Sequence, residues 1–315
     1  MDLIELKKRQ EWNLNQKIDH SLGVIDQFIS HLEGKVYVSF SGGKDSTVLL
    51  DLCRIINPNI KAVFCNTGNE YPDIVRFVRE LKSTPGYNIE IITPKIKPVE
   101  VFENYGFPLI SKETSRCIYD VKFSKSEKLI NHRLYGEGGK TKGKLPIKWR
   151  FLVNEEFKIS DFCCKKLKKD PFRKYERLTG LSPILGIMAS ESILRQSTYI
   201  RRGGCNVFGD GTKASQSLPL SIWMENDIWE YINSRNLKIS DIYHKGAQRT
   251  GCMFCGYGCQ LKNDNRLKIC YEMYPKIYNM FMNYSNNGIK YREALSKVLA
   301  VNGLSLPDEL YTQEK

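Results

Sequence analysis

The chain has 315 residues, 41% of them hydrophobic and 26% charged, enough for one large domain, or a domain with a substantial appendage, around a sizeable core. Lysine and arginine number 48 against 35 acidic residues, and a net charge of +13 favours polyanionic partners, nucleotide or nucleic acid. There is no apolar run of about 18 residues, and the charged opening MDLIELKKRQEWNLNQ lacks an apolar signal core. Neither a membrane span nor a secretory leader is expected, and the cytoplasm is the expected location.

In chain order, residues 3–33 carry apolar positions at helical spacing up to Gly34, a helix stop. Residues 35–40, KVYVSF, read as a buried strand, followed by the loop SGGKDS and a helix over 47–56 that stops before Pro58. Strands are expected at 60–66 and 88–93, with helices at 72–82 and 98–106. This alternation predicts an α/β fold: a doubly wound, mostly parallel sheet with right-handed crossovers. Beyond residue 107 the pattern loosens. A helix is expected within 114–136, an exposed loop around 136–146 inside a basic insertion near 136–150, and helix again over 161–178. A core strand is expected at 182–188, with helices from Glu191, over 227–236 and over 265–300. Three segments follow: helical residues 1–34, a nucleotide-binding α/β domain over 35–245 with a basic insertion, and a helical, cysteine-containing C-terminal region over 246–315.

Charge and thiols cluster locally. Residues 138–150 carry five bases and no acid, and residues 165–177 carry seven bases and two acids. Ten cysteines in a cytosolic chain indicate metal or redox chemistry rather than a disulfide framework. Cys163 and Cys164 are adjacent, Cys252, Cys255 and Cys259 lie close together, and Cys270 follows. Cys53 and Cys65 read as small buried hydrophobes. Trp223 and Trp229 read as core anchors, Tyr271, Tyr274 and Tyr278 as packing, and the four histidines as isolated residues without a catalytic role. Arg201 and Arg202, before two glycines, form a candidate anion site.

A strand, SGGKDS and a helix together make a phosphate loop. Gly42 and Gly43 allow the backbone to turn and approach a ligand. Free amides at the following helix start face an anion, Ser41 and Ser46 supply hydroxyls, and Lys44 supplies charge. Asp45 would repel bare phosphate and makes sense with Mg²⁺ between carboxylate and phosphates. The Walker pattern is absent.

SFSGGKDSTVLLDL resembles the signature of the adenine-nucleotide α-hydrolase superfamily, the PP-loop enzymes, which include ATP pyrophosphatases and the PAPS and APS reductases. Further segments resemble PAPS reductases in the family's order: FCNTGNEYPDI at 64–74, FCCKKLKKDPF at 162–172, GIMASESILR at 186–195, LPLSIWMENDIWEYI at 218–232 and RTGCMFC at 249–255. The resemblance implies that Ser41, Gly42, Gly43, Lys44, Asp45 and Ser46 hold phosphates and that Asn66, Thr67 and Gly68 border the adenosine. It also implies that Glu191 and Arg195 line the same cleft at the carboxyl ends of the strands.

Adjacent cysteines with a distant Cys-x-x-Cys resemble the 4Fe–4S site of bacterial APS reductases, with Cys163, Cys164, Cys252 and Cys255 as ligands. Four thiolates hold zinc equally well, and unligated buried thiols are the remaining alternative. Lys165, Lys166, Lys168 and Lys169 would help keep the thiolates ionised. Cys259 is a candidate replacement ligand or reactive thiol. Two departures separate the chain from thiol-using sulfonucleotide reductases: no cysteine follows Cys270, and Met188 stands where the family motif carries a base.

Three functions remain in view. In the first, ATP adenylylates an oxygen of an acceptor and sulfur displaces the adenylate, with Lys44, Asp45 and Cys259 as catalytic residues. The basic charge suits a nucleic-acid acceptor, and a sulfur or electron donor protein is required. The second is APS or PAPS reduction, releasing sulfite and AMP or its 3′-phosphate. The third is a nucleotide-binding regulator without turnover. A homo-oligomer is compatible with each.

Overall fold

The computed structural model of the protein describes residues 2–136, 143–209 and 214–312. The tip of the loop expected around 136–146 lies outside the described residues. In chain order the elements begin α1 (Leu3–Gln10), α2 (Leu14–His31), β1 (Val36–Phe40), α3 (Lys44–Ile56), β2 (Lys61–Cys65), α4 (Pro72–Ser83) and β3 (Asn88–Ile92). There follow α5 (Pro98–Tyr105), β4 (Leu109–Ile110), α6 (Lys112–Phe123), α7 (Glu127–Tyr135), a 3₁₀ segment Ile147–Asn154 and α8 (Phe162–Cys164). A π-helical turn Lys165–Lys169 leads to α9 (Asp170–Thr179), β5 (Ser182–Leu185), α10 (Ile193–Arg202), β6 (Asn206–Val207), β7 (Gln216–Ser217) and α11 (Glu225–Ser234). The chain closes with β8 (Gly256–Tyr257), α12 (Arg266–Met273), α13 (Pro275–Met282), β9 (Ser285–Asn286), β10 (Ile289–Lys290), α14 (Tyr291–Ala300) and α15 (Pro307–Thr312).

Packing sorts these residues into two compact units that interleave along the chain and regroup the three sequence segments. The first comprises residues 1–66, 72–92 and 172–243; the second comprises 67–71, 93–171 and 244–315. The first unit is the predicted α/β fold. Its six-stranded sheet has the order β3-β2-β1-β5-β7-β6, parallel throughout except for the antiparallel β6–β7 edge. Strand β1 is central and nearly all buried, because helices cover both its faces. On one face Tyr37 and Val63 pack with Tyr175 and Phe172 from the α9 side; on the other Phe40 meets Phe77 of α4. Since β2 and β5 flank β1, the sheet order reverses there, and the carboxyl end of β1 is where sheets of this kind bind ligands.

Helices α2, α3 and α11 pack together around a polar core. Trp223, fully buried, donates from Nε1 to Ser21 Oγ at 2.9 Å, and Ser21 donates to the Pro219 carbonyl at 3.0 Å. Lys17, only 2% exposed, reaches Asp227 at 2.6 Å, and the same carboxylate accepts the Met224 amide at the start of α11.

The second unit is mainly helical. Its two-stranded parallel pair β4–β8 places the Cys-x-x-Cys turn beside Pro108 and Leu109. A methyl group at Gly256 would stand 2.4 Å from the Pro108 carbonyl oxygen, so only glycine permits that approach.

Several expected elements are divided. The 3–33 helix is two, because Asn13 and Gln16 form a capping box that restarts the chain at Leu14. The 114–136 helix is also two, because Ser126 caps α7. The 265–300 stretch is three helices: Pro275 opens α13, and an Asn287-Gly288 turn with φ of 51° and 83° makes a β9–β10 hairpin before α14. The strand expected over 182–188 ends at Leu185, and the short β6 and β7 carry no sequence signal. No described helix is long and apolar enough to cross a membrane.

Asp227→Ala would leave Lys17 buried without its counter-charge. Loss of about 3 kcal/mol is expected in urea denaturation, since removing one partner of a buried pair strands the other.

Candidate functional site

The loop after β1 is shaped by what packs behind it. Gly42 has φ of 71°, and a Cβ there would lie 2.8 Å from Ile74 Cγ2 and 2.9 Å from Val78 Cγ2, both on α4. Any other residue is therefore disfavoured twice, by conformation and by space. Gly43 differs: its φ is −85°, which any residue adopts, so its place does not rest on backbone freedom. It caps α3 without a side-chain hydrogen bond, which leaves the first-turn amides for other partners.

Those partners are partly internal. Ser46 Oγ accepts the Ser41 amide at 3.1 Å, lies 3.0 Å from Ser41 Oγ and is 2.9 Å from the Gly43 carbonyl. The Lys44 amide donates to the Tyr243 hydroxyl at 2.7 Å. The Lys44 ammonium, 4% exposed, lies 3.0 Å from Asp45 Oδ1 and 3.4 Å from Glu225 Oε1, and 5.9 Å from the Trp229 ring centroid. Trp229 is thus half-buried over the loop lysine rather than a core anchor, and its ring meets Tyr243 at 5.7 Å. Sequence reasoning missed Glu225, Trp229 and Tyr243 as loop neighbours. Their separation in sequence hides them, although the Trp…Asp-Ile-Trp segment was a signal.

The chain leaving β5 also reaches the loop. A Cβ on Gly186 would stand 3.3 Å from the Asp45 carbonyl oxygen. Beyond it, Glu191 accepts the Met188 amide at 3.1 Å and ion-pairs with Arg195, so these two candidate residues neutralise one another. Asn66 belongs to the first unit, where its amide donates to Ile92. Thr67 and Gly68 belong to the second unit. Thr67 is buried, and its amide and hydroxyl both donate to Glu70, at 2.8 and 2.7 Å.

In the second unit, Cys163, Cys164, Cys252 and Cys255 line one cavity of about 20 Å³, together with Leu167, Lys168 and Tyr257. That is room for a single water. As the side chains stand, no group of three or more His, Cys, Asp or Glu among the described residues is arranged to hold a metal ion. The donor set nonetheless fits one: four soft thiols, distant in sequence, border a common space. Burial pushes the Cys163 thiol well above its usual range and raises Cys255 to about 12, and the neighbouring thiols add to both. Burial also raises Cys252, opposed by the Lys168 ammonium. Of the four lysines after Cys164, Lys168 lines this cavity, whereas Lys165 and Lys166 lie over the Phe162 and Tyr105 rings.

Cys259 does not line the cavity. Its thiol is buried, donates to the Gly256 carbonyl at 3.0 Å and is pushed up to about 12 by burial. Cys270 is likewise buried and pushed up to about 12. Neither is a ready nucleophile, because the thiolate is the reactive form.

Two outcomes follow from this geometry. Gly42→Ala should abolish measurable nucleotide binding by calorimetry, because α4 leaves no space for the methyl group. Cys259 and Cys270 should be alkylated by iodoacetamide at pH 8 at least about 100-fold more slowly in the folded protein than in urea, read by peptide mass spectrometry.

Residues 35–257 match the phosphoadenosine phosphosulfate reductase domain family. An uncharacterized protein of Methanocaldococcus jannaschii is 23% identical over 274 residues, 83% of this chain and 51% of its own length. A second from the same organism is 23% identical over 266 residues, 84% of this chain and 44% of its own length; the chain thus spans about half of these two curated relatives. Adenosine 5'-phosphosulfate reductase 2 of Bacillus subtilis is 23% identical over 235 residues, 74% of this chain and 77% of that protein. A solved phosphoadenylyl-sulfate reductase from Candida auris aligns over 80% of this chain and 96% of its own, with 13% identity and a TM-score of 0.43. The match over residues 35–257, carried on the parallel sheet and its glycine loop, places the chain in the phosphoadenosine phosphosulfate reductase domain family.

Proposed function

We propose that the chain is an adenine-nucleotide enzyme of sulfur chemistry that adenylylates an acceptor oxygen and lets sulfur displace the adenylate. The observation that carries this reading is Asp45, a carboxylate in the first turn of α3, paired with Lys44 at the mouth of a phosphate loop. A carboxylate there opposes a bare anion and favours one accompanied by a divalent cation. Mg²⁺ bound with ATP would be held by Asp45 and would supply charge neutralisation for the departing pyrophosphate.

The chain's own groups do the rest. The Gly42 turn and the α3 amides orient the phosphates, and Lys44 stabilises charge as the bond between the α and β phosphates breaks. The acceptor oxygen forms its bond to the α phosphorus, pyrophosphate leaves, and the incoming sulfur then expels AMP with its oxygen. A net charge of +13 supports a nucleic-acid acceptor, held by salt-dependent phosphate contacts. Cys163, Cys164, Cys252 and Cys255 would hold a 4Fe–4S cluster, which supplies sulfur-relay or electron chemistry; zinc in the same thiols would be structural.

Sulfonucleotide reduction is the second reading, favoured by the relatives described as adenosine 5'-phosphosulfate reductases. It requires a thiolate nucleophile, and the buried state of Cys259 and Cys270 speaks against both.

Lys44→Ala and Asp45→Asn should each lower ATP-dependent pyrophosphate release by about 100-fold or more. Sulfite released from a sulfonucleotide, without pyrophosphate from ATP, would reverse the ranking. Anaerobically purified protein should carry about four irons per chain, and Cys164→Ser or Cys252→Ser should lose them. Stoichiometric zinc would remove redox chemistry from the reading.

A further inference from the structure

A second concavity opens in the first unit beside the loop. It is a pocket of about 180 Å³ between one face of α10 and the ends of β5 and β7. Leu194, Thr198 and Arg202 recur at four-residue spacing along α10 and so share that face. Ile187, Gln216 and Leu218 supply the opposite wall. Ile187 directly follows Gly186, which lies against the Asp45 backbone, so the pocket adjoins the phosphate loop within one unit.

Most polar groups of the wall are already engaged. Thr198 Oγ1 donates to the Leu194 carbonyl at 2.7 Å, and Ser221 Oγ to the Leu218 carbonyl at 2.7 Å. The Tyr199 hydroxyl meets the Cys205 thiol at 3.9 Å, and Arg195 is paired with Glu191. Arg202 is different. It is half-buried, burial and the neighbouring Arg201 both draw its pKa below the ordinary arginine value, and no carboxylate among the described residues offsets them.

The geometry points to a binding site for a small monocarboxylic acid with a flat or branched hydrocarbon body, its carboxylate on Arg202 and its body against Leu194, Ile187 and Leu218. Volume limits the occupant: a dry cavity of about 150 Å³ accepts benzene, whereas pockets for larger ligands run from roughly 300 Å³. At 180 Å³ there is room for a ring or branched chain with its head group, but not for a nucleotide. Charge limits it further. One guanidinium with no carboxylate partner among the described residues matches one negative charge, and its planar fork fits two carboxylate oxygens. Gln216 adds the one side-chain amide among the lining residues. The site does not depend on which adenine nucleotide the phosphate loop takes.

The probe is benzoate, titrated into the full chain by calorimetry beside its neutral isostere benzamide. Benzoate should bind at least about tenfold more tightly than benzamide. Arg202→Gln should weaken benzoate by about 10- to 100-fold, the usual range for a charged hydrogen bond, and leave benzamide and ATP affinities unchanged. Leu194→Trp, at the exposed mouth of the pocket, should abolish benzoate binding without unfolding the chain. Equal affinity for benzoate and benzamide, or an Arg202→Gln protein that binds benzoate normally, would overturn the assignment. So would inorganic sulfate competing as well as benzoate, which marks a bare anion site, or uridine monophosphate displacing benzoate at lower concentration, which marks a nucleic-acid site.

Discussion

Two methyl groups on α4 govern the chemistry of the first unit. Ile74 and Val78 close the space behind Gly42, so the chain leaving β1 must turn through a left-handed glycine and enter α3 at once. That turn leaves the start of α3 without a side-chain cap of its own. Its amides depend instead on the Tyr243 hydroxyl, on neighbouring serines, or on an anion brought from outside. The position of β1 between β2 and β5 puts this turn where the sheet order reverses, so packing and topology select the same place for a ligand.

Charge at the loop is balanced rather than free. Lys44 is held between Asp45 and Glu225, with Trp229 over it. A buried ammonium in such company is fixed in place, which suits a group that must meet developing negative charge without reorganising. The same carboxylates would discourage a bare phosphate, which is why the proposed partner is a polyphosphate accompanied by a divalent cation.

The second unit shows the opposite tension. Burial favours the neutral form of the Cys163, Cys252 and Cys255 thiols, and the Lys168 ammonium opposes this at Cys163 and Cys252. Four thiols around one small cavity are unexplained as core packing, because buried cysteines serve that purpose singly, as Cys53 does. Deprotonation coupled to metal binding would resolve the tension.

The strand–loop–helix start, the next two strands and the helices between them were legible in the sequence because each has a local cause: period, a glycine or a proline. The strand–turn–helix placement of Ser41 to Ser46 was legible for the same reason, since all its parts are contiguous. Short strands such as β6 and β8 were not, because two residues carry no periodicity and pairing with a distant partner decides them. The breaks at Asn13, Ser126 and Pro275 were written in capping and turn residues but outweighed by the longer helical pattern around them. Sequence by itself determined the strand–glycine loop–helix of the nucleotide domain and which thiols could serve as donors, because residue identity sets what a group can donate. Only the tertiary structure decided that Gly42, not Gly43, is the obligatory glycine, that four thiols share a cavity that Cys259 does not line, and that Arg202 lines a pocket with no counter-charge among the described residues. Those outcomes turn on which side chains arrive from elsewhere in the chain, and no local pattern records that.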